Sequence, residues 1–305
     1  MNIQGKLIGV TGASGMLGVY ISRALLAAGA RVRGVVRNPQ KAAFLANEGV
    51  EFAKADLEDR DSLTEAFRGC DAVIANAALY NNSNRRWDDN FRANKVGTEN
   101  VYEAAGAAGV PRVVHISTFG VYRWFPLPES FNESTPLLDG EHRKGGAYRA
   151  TKQLSEALAF ELSAKHGIAV TALRPAGIYG ARDQNLLPTM RKLMSLPLIP
   201  APKLHFPFVH AGDVANAVVG ALRNDASADK AYLIAGRDES VESFMRAWKT
   251  VTNARGALLP LPLGQGFRVD TSLAEREIEF SNRSYEAGLK ETFEAEAAYR
   301  AAGLS

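Results

Sequence analysis

Cysteine is nearly absent: Cys70 stands alone among 305 residues. One thiol cannot close an intrachain disulfide, so a disulfide-stapled secreted scaffold is excluded and reducing, cytoplasmic surroundings are expected. Histidine is scarce too, with five in all, and no Cys/His cluster has the spacing of a zinc site, so no metal is expected. Neither sign of charge dominates. The 36 Lys and Arg against 33 Asp and Glu leave a formal net charge of +3, spread along the chain, which gives no case for a nucleic-acid partner. Long apolar runs are missing as well. The stretch after Lys6 ends Leu25-Leu26-Ala27-Ala28-Gly29-Ala30 and so imitates a secretory signal, yet Gly9, Gly12, Gly15, Gly18 and Arg23 interrupt it. Nothing approaches the ~20 apolar residues of a membrane span, and a soluble protein is expected.

What is present is globular. A hydrophobic fraction of 46% and a charged fraction of 23% exclude wholesale disorder and fibrous designs. At ~150 residues per domain the length allows two domains or one large α/β unit. Lys6–Thr11 is a short apolar run ending in glycine, read as a buried strand. Leu17, Ile21, Ala24, Leu25 and Ala28 then recur at helical spacing. Strands follow at Arg31–Val36, Val50–Ala55, Asp71–Asn76, Arg112–Ser117 and Ala169–Arg174. Helices alternate with them: one opened by Asn38-Pro39 and stopped at Gly49, then Asp61–Arg68, Asp88–Ala108 and Tyr148–His166. This alternation predicts a doubly wound parallel sheet of Rossmann type. After Arg174 prolines crowd the chain, and loops are expected there, with helices near Asp213–Arg223, Ser240–Thr250 and Tyr285–Ala302 and one more strand at Ala231–Ala235. The division expected is a dinucleotide-binding domain over 1–174, rejoined by about 211–236, and an interleaved cap domain for substrate over 175–210 and 237–305.

Thr11-Gly12-Ala13-Ser14-Gly15-Met16-Leu17-Gly18 joins the first strand to the first helix. Gly12 permits a tight turn, Gly15 lets backbone approach a pyrophosphate, and Gly18 lets helix pack closely on strand. The helix N-terminus presents free N–H groups to the phosphates. A ribose-reading carboxylate should end the second strand, but that strand ends Val35-Val36-Arg37. A guanidinium there, with Lys41 about one helical turn on, matches a 2′-phosphate and points to NADP, with NAD as the other choice. Asp56 and Leu57 are expected to flank the adenine; Asp56 as a plain helix N-cap is the competing reading. Tyr148 and Lys152 stand at i and i+4 on one helix face. A neighbouring ammonium favours a phenolate, so it is expected to lower the tyrosine pKa from ~10. Ser117 and Thr118 end a parallel strand, where hydroxyls face the ligand crevice.

This combination resembles the extended short-chain dehydrogenase/reductases, in the epimerase/dehydratase and 3β-hydroxysteroid-dehydrogenase-like branch, over essentially the whole chain. TGxxGxxG matches Thr11–Gly18 and YxxxK matches Tyr148–Lys152. Further matches are Asn94-Lys95-Val96-Gly97-Thr98, Arg174-Pro175-Ala176-Gly177-Ile178-Tyr179-Gly180 and His210-Ala211-Gly212-Asp213-Val214-Ala215. The resemblance implies that Tyr148 is the general acid/base, that Lys152 binds the nicotinamide ribose and lowers the tyrosine pKa, and that Thr118 hydrogen-bonds the reacting oxygen. Ser117 is its second choice for that hydroxyl. It implies for Asn94 a helix kink or a relay water, and it places Pro175 and Ile178 against the nicotinamide and Asn76, Ala77 and Ala78 against the adenosine ribose. A homodimer is implied too, pairing 94–108 and 148–166 across a two-fold axis, with Ala104, Ala105, Ala107 and Ala108 allowing close approach.

Two departures bear on substrate. Sugar-nucleotide members carry an arginine just before the Phe-Val-His element, whereas this chain reads Lys203-Leu204-His205-Phe206-Pro207-Phe208-Val209-His210. The cap is also compact and proline-rich. Both favour a simpler ketone or alcohol over a sugar nucleotide. Tyr80, Trp87, Phe119, Trp124 and Phe125 make an expected aromatic substrate rim, with Arg85, Arg86 and Arg123 beside it; aromatics pinning loops to the core, with the arginines solvated, is the alternative. The expected function is NADP(H)-dependent carbonyl–alcohol interconversion on a small-molecule substrate. A sugar-nucleotide epimerase or dehydratase is the alternative, and a non-catalytic dinucleotide sensor the third reading.

Overall fold

The computed structural model describes residues 1–80 and 86–304; the side chain of Lys41 also lies outside the description. The first half runs β1 (Leu7–Thr11), α1 (Met16–Ala27), β2 (Arg31–Val36), α2 (Ala43–Asn47), β3 (Val50–Lys54), α3 (Arg60–Phe67) and β4 (Ala72–Ala75). Then come α4 (Trp87–Asn90), α5 (Gly97–Ala107), β5 (Arg112–Ile116), α6 (Ala147–His166), β6 (Ala169–Pro175) and β7 (Gly177–Tyr179). The remainder is α7 (Leu186–Met194), β8 (Leu198–Pro202), β9 (Phe208–His210), α8 (Ala211–Arg223), β10 (Lys230–Ile234), α9 (Val241–Thr252), β11 (Ala257–Leu261), α10 (Ser272–Ile278) and α11 (Tyr285–Ala301).

Seven strands form one sheet in the order β10-β6-β5-β4-β1-β2-β3, and every pairing in it is parallel. β1, β4 and β5 are buried at every position, as central strands covered by helices on both faces must be. The chain steps from β1 outward through β2 and β3, then returns to place β4 on the other side of β1. Strand order reverses there, and the carboxyl ends of β1 and β4 open the crevice where such sheets take ligands. One face is covered by α1 and α8, around Ile8, Val10, Leu25, Val214 and Val218; the other by α3, α5 and α6, around Leu63, Phe67, Val101, Val113 and Leu162.

A separate core gathers Tyr179, Leu187, Ile199, Phe208, Phe244, Trp248 and Leu289 from the second half. Loops were expected there, yet β8 pairs with β11 and β7 with β9. The prolines fit because Pro200 and Pro202 alternate along β8 in a two-stranded pair, so their missing N–H groups can point away from the partner. The single helix expected over 38–49 is instead a tight turn at Pro39–Ala42, capped by the Asn38 side chain, followed by the five-residue α2. Ala104 and Ala105, expected at a dimer face, are buried within this chain, under α6 and the sheet. Among the described residues no helix is long and apolar enough to cross a membrane.

Candidate active site

The glycines after β1 have separable reasons to be glycine. Gly12 takes φ +65°, and its N–H donates to the Val35 carbonyl at 3.0 Å, pinning the turn to β2. A Cβ on Gly18 would sit 2.2 Å from the Gly12 carbonyl oxygen, so only glycine lets α1 lie this close to β1. A Cβ on Gly15 would meet nothing nearer than the Gly12 oxygen at 3.3 Å; open space lies over the first turn of α1. That turn has no side-chain cap and no acidic residue, so its N–H groups at Met16 and Leu17 remain available for an anion. The cradle fits a dinucleotide pyrophosphate. Thr11, which sequence reasoning passed over, locks its floor: Oγ1 accepts from the N–H groups of Asn76 (2.9 Å) and Ala77 (3.0 Å) and donates to the Ile74 carbonyl (3.2 Å). Asn76 returns a bond to the Thr11 carbonyl at 3.2 Å, leaving Ala78 exposed beyond it.

Arg37 is exposed directly past β2 and has no ion-pair partner among the described residues. Arg33, two residues before the strand's last pair, is engaged elsewhere: it pairs with Glu51 at 2.8 Å and donates to the Ala66 and Arg68 carbonyls. Those bonds, rather than strand alternation, set Arg33 apart from Arg37. Asp56 is not the cap of α3; Asp59 is, accepting from Ser62 N–H, while Asp56 accepts from the Glu58 N–H at 3.1 Å. Leu57 packs beside Gly97, and its carbonyl accepts from Asn100 at 2.8 Å. Lys41 and Arg85 lie outside the described side chains. Pro175 is buried at the end of β6, and Ile178 is half-buried on β7.

Thr118 caps the turn Phe119–Val121, its Oγ1 accepting from the Gly120 N–H at 3.1 Å. That holds the hydroxyl facing the Tyr148 phenol, where it favours the ionised form. Burial pushes the Tyr148 pKa up, the Thr118 bond opposes this, and the Tyr80 phenol adds to the rise. Lys152 is not among the groups that set this shift. Lys152 is buried, donates to the Ile116 carbonyl at 2.8 Å, and is itself pushed down to about 8 by burial, with Glu156 working against that. Ser117 does not join the crevice: it is buried and donates to Glu156, which pairs with Arg174 at 2.5 Å. Asn94 lies in a wide helical turn, Phe91–Val96, between α4 and α5. Its side chain accepts from the Leu79 N–H at 2.8 Å and donates to Thr151 Oγ1 at 3.1 Å, tying the segment after β4 to α6.

The expected rim residues divide. Tyr80, 48% exposed, meets Tyr148 edge-on at 4.9 Å between ring centroids. Phe119 is buried against Phe131 and Phe267, and Trp124 packs on Phe267 at 4.9 Å with the Arg149 guanidinium 3.6 Å over its ring. Arg149 also donates to the Gly120 and Tyr122 carbonyls, both at 2.8 Å, so it clamps the turn that carries Thr118. Trp87 lies under the Arg143 guanidinium at 4.2 Å, and Phe125 is 69% exposed. Arg86 pairs with Asp89 at 3.3 Å, while Arg123 is exposed. A residue with no sequence signal is Arg182, whose Nη2 lies 3.5 Å from the Ser14 carbonyl.

Among characterised proteins, the chain is 38% identical over 174 residues to the sterol demethylase protein B of Methylococcus capsulatus, covering 57% of this chain and 52% of that protein. It is 37% identical over 182 residues to a 4-hydroxy-2-methyl-3-oxo-4-farnesyl-3,4-dihydroquinoline-1-oxide ketoreductase of Stigmatella aurantiaca, covering 59% and 53%. The chain thus spans about half the length of these relatives. In three dimensions it matches a UDP-glucose-4-epimerase from Stenotrophomonas maltophila with bound NAD at a TM-score of 0.81 and 22% identity, over 97% of this chain and 99% of that one; this likeness concerns the fold. The model of the NAD dependent epimerase/dehydratase family matches residues 8–235, and the chain belongs to that family.

Proposed function

We propose that the protein is an NADP(H)-dependent oxidoreductase that interconverts a carbonyl and an alcohol on a small molecule, with Tyr148 as general acid/base. The observation that carries this reading is the Thr118 hydroxyl facing the Tyr148 phenol past the carboxyl end of β5, with Lys152 one turn further along α6. A bound nicotinamide dinucleotide supplies or accepts the hydride. Tyr148 gives its proton to the alkoxide oxygen that develops on the substrate, or removes it in the reverse direction. Thr118, held by Gly120, shares a hydrogen bond with the same oxygen and favours the phenolate. Lys152 adds a positive charge that a reacting phenolate feels from below. Arg37 supports a 2′-phosphate, hence NADP, with NAD as the lesser choice. The unit of 175–210 and 237–305 is proposed to receive substrate, and the lone, buried Cys70 supports a cytoplasmic setting.

Epimerisation or dehydration of a sugar nucleotide would employ the same Thr118, Tyr148 and Lys152. Against it, the segment leading into β9 carries Lys203, His205 and Phe206 but no guanidinium, and His205 is held by Asp238 at 2.8 Å. Net cofactor turnover separates the two. A panel of ketones and aldehydes with NADPH should show net loss of reduced cofactor, and Tyr148→Phe should lower the rate by ~10²–10⁴ while cofactor affinity holds. Activity of the phenylalanine variant within a few-fold of the parent would sink the assignment.

A further inference from the structure

Two guanidiniums stack on the same pair of rings near the glycine cradle, and among the described residues only one of them has a counter-ion. Arg23 lies 5.8 Å from the Phe44 ring centroid and 5.6 Å from that of Tyr299. It pairs with Glu48 at 2.7 Å and reaches the Tyr299 hydroxyl at 2.7 Å. Arg182 lies 5.3 and 5.6 Å from those same centroids, with no carboxylate partner among the described residues. Its contacts are two long ones to carbonyls, Leu304 at 3.3 Å and Ser14 at 3.5 Å. Its Nε is shielded from solvent and has no partner. The adjacent carboxylate, Asp183, is committed to the N–H groups of Asn185, Leu186 and Leu187 at the start of α7.

Such a group is costly as it stands. A half-buried guanidinium that bonds weakly to neutral oxygens and leaves one donor unmade loses hydration without full compensation. The backbone adds to that cost, because Arg182 sits at φ +71°, a region side chains with a Cβ rarely adopt. Position indicates what would compensate it. Ser14 belongs to the turn that feeds the N-terminus of α1, so the guanidinium lies at the edge of the dinucleotide cradle. We propose that Arg182 is a phosphate-binding residue of that cradle, delivered from the segment after β7, which exchanges its long contact with the Ser14 carbonyl for a charge-assisted bond to a ligand phosphate. The inference rests on the dinucleotide reading above, but not on the reaction proposed for it. It also gives the cofactor a direct hold on the chain between β7 and α7.

Isothermal titration of Arg182→Gln and Arg182→Met with NADPH, NADH, 2′,5′-ADP and 5′-ADP tests this, with melting curves alongside. Met keeps an apolar stem between Phe44 and Tyr299 and serves if the glutamine variant does not fold. Weakening of about tenfold or more is expected, the scale of one lost charge-assisted bond. Loss confined to NADPH and 2′,5′-ADP supports the proposal with the 2′-phosphate as the group held; equal loss for NADPH, NADH and 5′-ADP supports it with the 5′-pyrophosphate. Affinities equal to the parent in a folded variant overturn it. A parent protein that binds none of the four overturns the dinucleotide reading as well, whereas tight NADPH binding without carbonyl reduction would fail only the proposed reaction.

Discussion

Gly15 and Gly18 look alike in the sequence, yet alanine should affect stability differently at the two positions. At Gly18 the new methyl carbon would lie 2.2 Å from the Gly12 oxygen and 2.7 Å from the Ala13 Cα, both backbone atoms that cannot swing aside. Ordinary contact is more than an ångström longer, so α1 must shift away from β1. Overpacking of this kind costs about 1–3 kcal/mol, against a helix-propensity gain of about 1 kcal/mol for alanine over glycine. A net loss of up to about 2 kcal/mol is expected, a few degrees in Tm for a chain of this size, roughly 2–4 °C per kcal/mol. Cofactor affinity should fall with it, because the shift carries the N–H groups of Met16 and Leu17 out of line. At Gly15 the methyl meets only the Gly12 oxygen at 3.3 Å, and φ −76°, ψ 166° is extended backbone that alanine accepts. Gly15→Ala should therefore cost only the glycine N-cap preference, about 1 kcal/mol, yet lose NADPH binding, since the methyl fills the open space over α1. Thermal melts and NADPH fluorescence titrations on both variants are the assay. If Gly18→Ala melts with the parent, the packing argument is wrong; if Gly15→Ala binds NADPH as tightly as the parent, the cradle is not where the phosphates sit.

Arg37→Asp should weaken NADPH binding by about ten- to hundredfold, one or more charge-assisted bonds, and leave NADH unchanged or tighter; equal affinity of the parent for both cofactors would refute the 2′-phosphate assignment. Stability should fall as pH drops below about 6.5, the unperturbed histidine value. His115 and His210 are both held well below it, His210 at about 3, by burial first and then by Lys152 and Arg283 respectively. The unfolded chain therefore takes up protons that the folded one refuses, and that stability is complete only above the unfolded pKa. His210→Asn keeps an acceptor for the Gly212 N–H that His210 Nδ1 now receives at 3.1 Å; urea melts at pH 7 and pH 5 should lose part of their difference in this variant, and an unaltered difference would clear His210 of the effect. Pairing of two copies through the outer faces of α5 and α6 predicts a dimer mass by light scattering at micromolar concentration, and a monomer there refutes it.

What the sequence made legible follows a physical division. β1 and β4 are short, mostly apolar runs because both faces are covered, and with β5 they lead into short turns whose glycines and hydroxyls can be read in place. The wide turn at Phe91–Val96 left no trace in the periodicity, since Phe-Arg-Ala-Asn-Lys-Val is an unremarkable helical string, and only the family resemblance pointed to a kink at Asn94. Its cause is tertiary: Ser155 on α6 donates to the Asn94 carbonyl at 2.7 Å, while the Asn94 side chain reaches back to Leu79. Charge was the least legible property of all. Arg23, Arg33, Arg37 and Arg182 are equivalent letters, but one is neutralised by Glu48, one by Glu51, one stands in solvent, and one is half-buried with no anion among the described residues. Neutralisation depends on which carboxylate the fold brings within ~4 Å, and that separation spans 25 residues for Arg23 and 18 for Arg33. A motif names the residues that chemistry places at a turn. Only the assembled chain shows which positive charges remain unanswered, and those are the ones that a phosphate can still find.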